Sequence, residues 1–144
     1  MHKIADVIQQ AITIPVIHIA RVTATAITMQ QLTTVALLGT KYTMQLDFYK
    51  NKLAEKNIHV IIPGEEDVEF INYTIYNEMG KGIFLPETKQ RYIAIIHKLI
   101  AQGAQGVVLG CTEIPILVKQ QDCPVPVFDT TAIHVKAAIE FALG

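Results

Sequence analysis

What most constrains this chain is a repeated order: a short apolar run, a stop of small residues, then a stretch whose apolar positions recur at helical spacing. Residues 35–38 end in Gly39-Thr40, and residues 43–57 place Met44, Phe48, Tyr49 and Leu53 on one side of a helix. Residues 60–62 stop at Pro63-Gly64. Glu65, Glu66 and Asp67 suit the positive end of the helix that follows, whose Val68, Ile71, Ile75 and Met79 form its inner stripe. Gly80-Lys81-Gly82 breaks that helix. Pro86 opens another, with Tyr92, Ile93, Ile96, Leu99 and Ile100 inward and Gly103 ending it. Residues 107–109 form a strand running into Gly110, Pro115 fits the first turn of a helix, and residues 124–128 form a last strand. Residues 132–143 close the chain as a helix capped by Thr130 or Thr131. Strands alternating with helices predict an α/β fold: a parallel sheet covered by helices on both faces, three layers deep, with right-handed crossovers.

Upstream of this pattern, Ile4, Val7, Ile8, Ala11 and Ile12 predict a helix over residues 1–13, with no capping residue before it. Residues 14–19, opened by Pro15, read as a strand, and residues 20–32 as a helix carrying Val22, Ala26 and Met29. Asp6, Gln9 and Gln10 interrupt any apolar leader in this region, and no run approaches membrane-spanning length. At 144 residues, 51% of them hydrophobic and 17% charged, the chain can bury one respectable core. A net charge of −1 gives no electrostatic reason to expect nucleic acid or an anionic membrane as partner. Two cysteines make no disulfide framework, and a reduced, cytoplasmic setting is the simpler reading.

In parallel sheets of this kind ligands bind beyond the carboxyl ends of the strands. That rim collects Gly39-Thr40, Pro63-Gly64, Gly110-Cys111-Thr112 and Asp129-Thr130-Thr131, a setting suited to a small anion such as a carboxylate. Cys111 stands where a strand stops and a helix starts, so free N–H groups and the helix dipole are expected to favour its thiolate. Cys123, between Asp122 and Pro124 in a loop entering a strand, reads as structural. The five histidines have no metal-ligand spacing, and there is no CxxC pair. GTKYT lacks the P-loop arrangement, and GKG alone is no dinucleotide fingerprint.

Four motifs in order, MHKIAD at residues 1–6, LLGTKYTM at 37–44, YNEMGKGIF at 76–84 and VLGCTEIP at 108–115, resemble the aspartate/glutamate racemase family. The similarity is strongest to its aspartate racemase and broad-specificity amino-acid racemase branch. The resemblance implies a flavodoxin-like half of a two-domain enzyme, with the active site between similar halves and one cysteine from each. It implies an isomerase working without pyridoxal phosphate or any other cofactor on aspartate, glutamate or a related amino acid. Inverting an α-carbon means removing its proton from one face and returning one to the other, which two thiols can do in both directions. Carried over by position, Cys111 would be acid or base on one face, and Thr112 would help hold the α-carboxylate. Lys81 would meet a substrate carboxylate, Thr40 and Thr43 would line the cleft, and Glu113 is the residue the aspartate-type branch carries there.

In relatives the segment like MHKIAD directly follows a motif holding the other cysteine. Residues 1–33 are therefore expected to be the remainder of an N-terminal half, 34–131 the C-terminal α/β domain and 132–144 a closing helix. The isolated chain is expected to be impaired in two-base racemisation, and its uncovered apolar surface to drive a homodimer or larger assembly. Three other readings stay open at this point: a single-thiol enzyme of the decarboxylase type, a cysteine hydrolase using His18 or His134 as base, and a non-catalytic fragment that binds a dicarboxylate or dimerises.

Overall fold

A computed structural model describes residues 4–144 of the chain. Among them a four-stranded, wholly parallel sheet runs in the order β2-β1-β3-β4, with β1 at Thr34–Gly39, β2 at His59–Ile61, β3 at Val107–Gly110 and β4 at Val127–Asp129. The central pairing of β1 with β3 sets Ala36 beside Val107, Leu37 beside Val108, Leu38 beside Leu109 and Gly39 beside Gly110. Side chains alternate across a strand, so this register sorts the core into two. Ala36, Leu38, Val107 and Leu109 pack on one face with α5 (Glu65–Asn77) and α6 (Pro86–Ala101). Val35, Leu37, Val108 and Phe128 pack on the other with α2 (Ile19–Met29) and α4 (Asp47–Ala54). The expected three-layer α/β/α architecture is what the chain adopts. Both faces of the sheet are dry, which is why its strands read as continuous apolar runs and not as alternating ones.

The helix expected over residues 43–57 is two helices, α3 (Lys41–Gln45) and α4, divided at Leu46, whose backbone is extended at φ −80° and ψ 144°. The packing supplies the reason. Met44 belongs to the core on the α5 side, whereas Tyr49 and Leu53 belong to the core on the α2 side. One straight helix cannot serve both faces of a sheet, so the chain turns between them.

Residues 14–19 are not a strand. They run alongside the body without joining the sheet, because their backbone groups are met by side chains. The Val16 N–H donates to Gln9 Oε1 at 2.6 Å, Gln9 Nε2 donates to the Ile14 carbonyl at 3.3 Å, and His134 Nε2 lies 2.8 Å from the Ile17 carbonyl. His18 then caps α2 by accepting the Ala20 N–H on Nδ1 at 3.1 Å. Preceding this segment, α1 spans Ala5–Ala11, and the expected helix start at residues 1–3 lies outside the described residues.

On the α5 side, the buried Tyr92 hydroxyl lies 3.0 Å from Thr74 Oγ1, joining α5 to α6 inside the core. Burial pushes its ionisation above the usual tyrosine range. At the C-terminal side α7 (Ile114–Leu117) carries Pro115 in its first turn, as the sequence leads one to expect. The last helix, α8 (Thr130–Leu143), is capped by neither threonine: Asp129 accepts from the N–H groups of Thr131 and Ala132 at 3.0 and 3.1 Å. Thr130 is buried and donates its hydroxyl to the Leu109 carbonyl at 2.9 Å, tying the end of β4 to β3. Asp129→Ala is therefore expected to cost about 1 kcal/mol of stability, the usual worth of an N-cap. Thr131→Ala should lie within about 0.5 kcal/mol of the parent, as surface changes do. Urea unfolding midpoints of the two variants check this difference.

Candidate active site at the carboxyl edge of the sheet

Two strand-terminal glycines prepare the place where Cys111 sits. Gly39 and Gly110 are register partners, and the Thr43 side chain lies over both. A Cβ built on Gly110 would stand 3.1 Å from Thr43 Cγ2 and 3.3 Å from the Leu38 carbonyl oxygen. One on Gly39 would stand 3.1 Å from Thr43 Cβ. Only a residue without a side chain leaves Thr43 this close to both strand ends. Thr43 in turn is held by Thr40, whose Oγ1 lies 3.1 Å from the Thr43 hydroxyl and accepts the Thr43 N–H at 3.3 Å as the cap of α3. The structure thus brings Thr40 and Thr43 to the strand end that precedes Cys111.

Cys111 is half-buried and packs against the core that holds Tyr92. Its thiol donates to Glu113 Oε2 at 2.8 Å. The Cys111 thiol and the neighbouring, exposed Thr112 side chain hold the Glu113 carboxyl below the usual carboxylate range. The thiolate expected at this strand end is not the favoured form. The backbone N–H groups of Glu113 and Ile114 do favour a negative sulfur, as a helix start should. Burial outweighs them, the Glu113 hydrogen bond adds to it, and together they push the thiol up to about 11. With a helix of only four residues behind it, the dipole contribution is small.

Lys81 is exposed at the end of a single 3-10 turn, Met79–Lys81, and makes no side-chain hydrogen bond or ion pair among the described residues. The turn itself is firmly placed. Met79 is buried in the same core as Tyr92, Gly82 takes the left-handed conformation at φ 76°, and Thr88 donates to Glu78 Oε2 at 2.6 Å. A Cβ on Gly80 would meet the Ile75 carbonyl oxygen at 2.8 Å, so that glycine is required by packing.

Other rim residues turn out to be structural. The Asp129 carboxylate and Thr130 hydroxyl are committed to the cap of α8 and to β3. Cys123 is buried ahead of β4, in the core with Leu117 and Val118. Neither histidine considered as a base contacts Cys111: His18 and His134 line an apolar pocket with Ala5, Ile8, Val16 and Ile17. A groove of about 530 Å³ beside α3, lined by Lys41, Tyr42, Glu69, Asn72 and Tyr76, does not include Cys111 either. Its Lys41 and Glu69 pair with one another across α3 and α5. What the sequence did not reveal are the Gly39–Gly110 pair and the Tyr92–Thr74 hydroxyl pair inside the core against which the thiol packs. The first has a sequence signal, since both apolar runs end in glycine just before a polar residue; the second has none.

A family model of Asp/Glu/hydantoin racemases matches residues 1–138. A solved structure described as a candidate Asp/Glu racemase from Yersinia pestis is 49% identical, with a TM-score of 0.96 over 100% of this chain and 63% of that one. An aspartate racemase homologue from Pyrococcus horikoshii OT3 is 37% identical, with a TM-score of 0.93 over 99% of this chain and 63% of that one. The Picrophilus torridus aspartate racemase is 25% identical, with a TM-score of 0.62 over 84% of this chain and 52% of that one. An uncharacterized protein from Pectobacterium carotovorum subsp. carotovorum is 29% identical over 132 residues, 83% of its length. The chain thus spans between half and two thirds of the length of the solved structures it matches. Matched along nearly its whole length by that model, the chain belongs to the Asp/Glu/hydantoin racemase family.

Proposed function

We propose that this chain carries one half of the proton chemistry of a cofactor-independent amino-acid racemase of the aspartate/glutamate type. The observation that carries the proposal is the placement of Cys111. It is a half-buried thiol at the carboxyl edge of a parallel sheet, directly after Gly110 and beside the Thr43 side chain, with its proton on a carboxylate-directed hydrogen bond. In this reading Cys111 exchanges a proton with the substrate α-carbon on one face. Thr112, Thr40 and Thr43 supply hydroxyl contacts, Glu113 stands beside the thiol, and Lys81 attracts a carboxylate through its charge. A dicarboxylic amino acid fits a rim with hydroxyl donors and one cationic side chain. No pyridoxal phosphate is needed, because the thiol itself does the acid–base work.

The domain division in this proposal takes residues 34–131 as the α/β unit bearing the cysteine, with 1–33 and 132–144 belonging to the surface it shares with the rest of such an enzyme. The base for the opposite face comes from another polypeptide segment, because Cys123 is buried ahead of β4. A one-face, single-thiol reaction is the second reading, favoured by the single thiol at the rim. The setting we propose is a reducing cytoplasm, where Cys111 stays a thiol. No helix among the described residues is long and apolar enough to cross a membrane.

We further propose self-association. Ile4, Val7, Ile12 and Ile14 in and flanking α1 are exposed, as are Val135, Ile139, Phe141 and Leu143 on α8. That is more apolar surface than a lone chain usually leaves in water. Light scattering at micromolar concentration should give a dimer or larger; a monomer would contradict this.

The exchange assay is decisive for the chemistry. In deuterated water at alkaline pH, where part of Cys111 is ionised, NMR of both enantiomers of aspartate and glutamate with the 144-residue chain should show slow α-proton exchange without net inversion for one hand, lost in Cys111→Ser. Conversion of L- to D-aspartate by this chain alone would disprove the need for an outside base. Exchange undiminished by Cys111→Ser would remove the cysteine from the proposal.

A further inference from the structure

Cys111 and Glu113 lie two residues apart in the turn between β3 and α7, with the sulfur 2.8 Å from Oε2. A carboxylate accepts hydrogen bonds and cannot donate one, so this contact exists only while the sulfur keeps its proton. The neighbouring Thr112 side chain also favours the ionised Glu113 carboxylate, which discourages it from taking the thiol proton for itself. The titratable group acting on the sulfur is Glu113 from its own turn; Tyr92 of α6, which itself feels the sulfur's charge, is tied to Thr74 and neutral. Neither supplies the positive charge that stabilises thiolates in reactive cysteines.

We propose that Glu113 is a positioning residue that keeps Cys111 in its thiol form, so that this part of the fold enters the reaction as the proton donor. The inference rests on the racemase-type reading given above and adds a direction to it. When the base on the other face removes the α-proton, the α-carbon holds an electron pair. The S–H bond of Cys111 breaks, its proton and that electron pair form the new C–H bond, and sulfur keeps the S–H pair as a thiolate. That thiolate then lies against the Glu113 carboxylate, two negative groups in contact. It is a strong base, suited to taking the proton back when substrate of the opposite hand is bound. Glu113 thus acts on the reaction through sulfur and need not touch the substrate.

The test reads sulfur directly and needs no turnover. Alkylation of the 144-residue chain by iodoacetamide is followed between pH 6 and 11, with mass spectrometry separating the Cys111 peptide from the Cys123 peptide. In the parent chain the Cys111 rate should stay low at neutral pH and climb only above pH 9. Glu113→Gln, of nearly the same shape, removes the repelling charge, and its Cys111 profile should move down by about one pH unit. Because one unit is a tenfold change in the fraction ionised, alkylation at pH 8 should be about tenfold faster. Glu113→Ala should move it in the same direction, while the Cys123 profile and the circular dichroism stay as in the parent. In urea all chains should give one common profile, since the effect belongs to the fold. Superimposable Cys111 profiles for parent, Glu113→Gln and Glu113→Ala in the native state would overturn the inference. So would a shift to higher pH in the variants. These readings are independent of the exchange assay: a cysteine that takes no part in exchange ends the functional reading, and an unmoved thiol titration ends this one.

Discussion

The in-register pairing of β1 with β3 is the contact on which the rest of this structure depends. Its four registered pairs, from Ala36 with Val107 to Gly39 with Gly110, decide which side chains face which helical layer. A slip of β1 by one residue would turn Leu37 toward α5 and α6 and leave Val108 facing α2 and α4, and both cores would lose their fit. The same pairing brings two glycines to the edge together. Because neither has a Cβ, Thr43 can fold over both strand ends, and the residue that follows Gly110 emerges beside it. Packing and site are thus one arrangement. The backbone geometry that buries the central strands also determines where the thiol stands.

Around that thiol, opposing effects of similar kind compete, and magnitudes decide. Helix-start N–H groups favour negative sulfur, but α7 is too short to add much dipole. Partial burial and an adjacent carboxylate favour the neutral form, and they prevail. The outcome distinguishes a cysteine held as an acid from a cysteine held as a nucleophile. Hydrolytic enzymes need the second kind, with a histidine to take the proton, and here both histidines near the rim in sequence have gone elsewhere. His18 caps α2, and His134 holds the extended segment before it.

Much of this was legible in the chain. Apolar runs ending in Gly39 and Gly110 specify strands and their limits, and the stripes Val68–Ile71–Ile75 and Tyr92–Ile96–Leu99 specify two of the helices that cover them. Cys111 stood out because a strand end and a proline-led helix start flank it. Other features depend on contacts that no local pattern encodes. The break at Leu46 follows from Met44 and Tyr49 serving opposite faces of the sheet. Residues 14–17 have strand composition, but Gln9 and His134 occupy the backbone groups a neighbouring strand would need. Asp129 caps α8 in place of a threonine because Thr130 is drawn inward to Leu109. In the site, the motif named the residues, but only the fold shows that Glu113 turns toward sulfur.

The central claim is that the carboxyl edge around Cys111 is where a small dicarboxylic amino acid is received. Titrating ¹⁵N-labelled chain with L-aspartate and following amide resonances tests it most directly. The account predicts saturable shifts at Gly39, Thr40, Gly110, Thr112 and Glu113, which meet at the ends of β1 and β3. Shifts confined to the apolar pocket around Ile17 and His134, or no shift at the strand ends at millimolar aspartate, would contradict it.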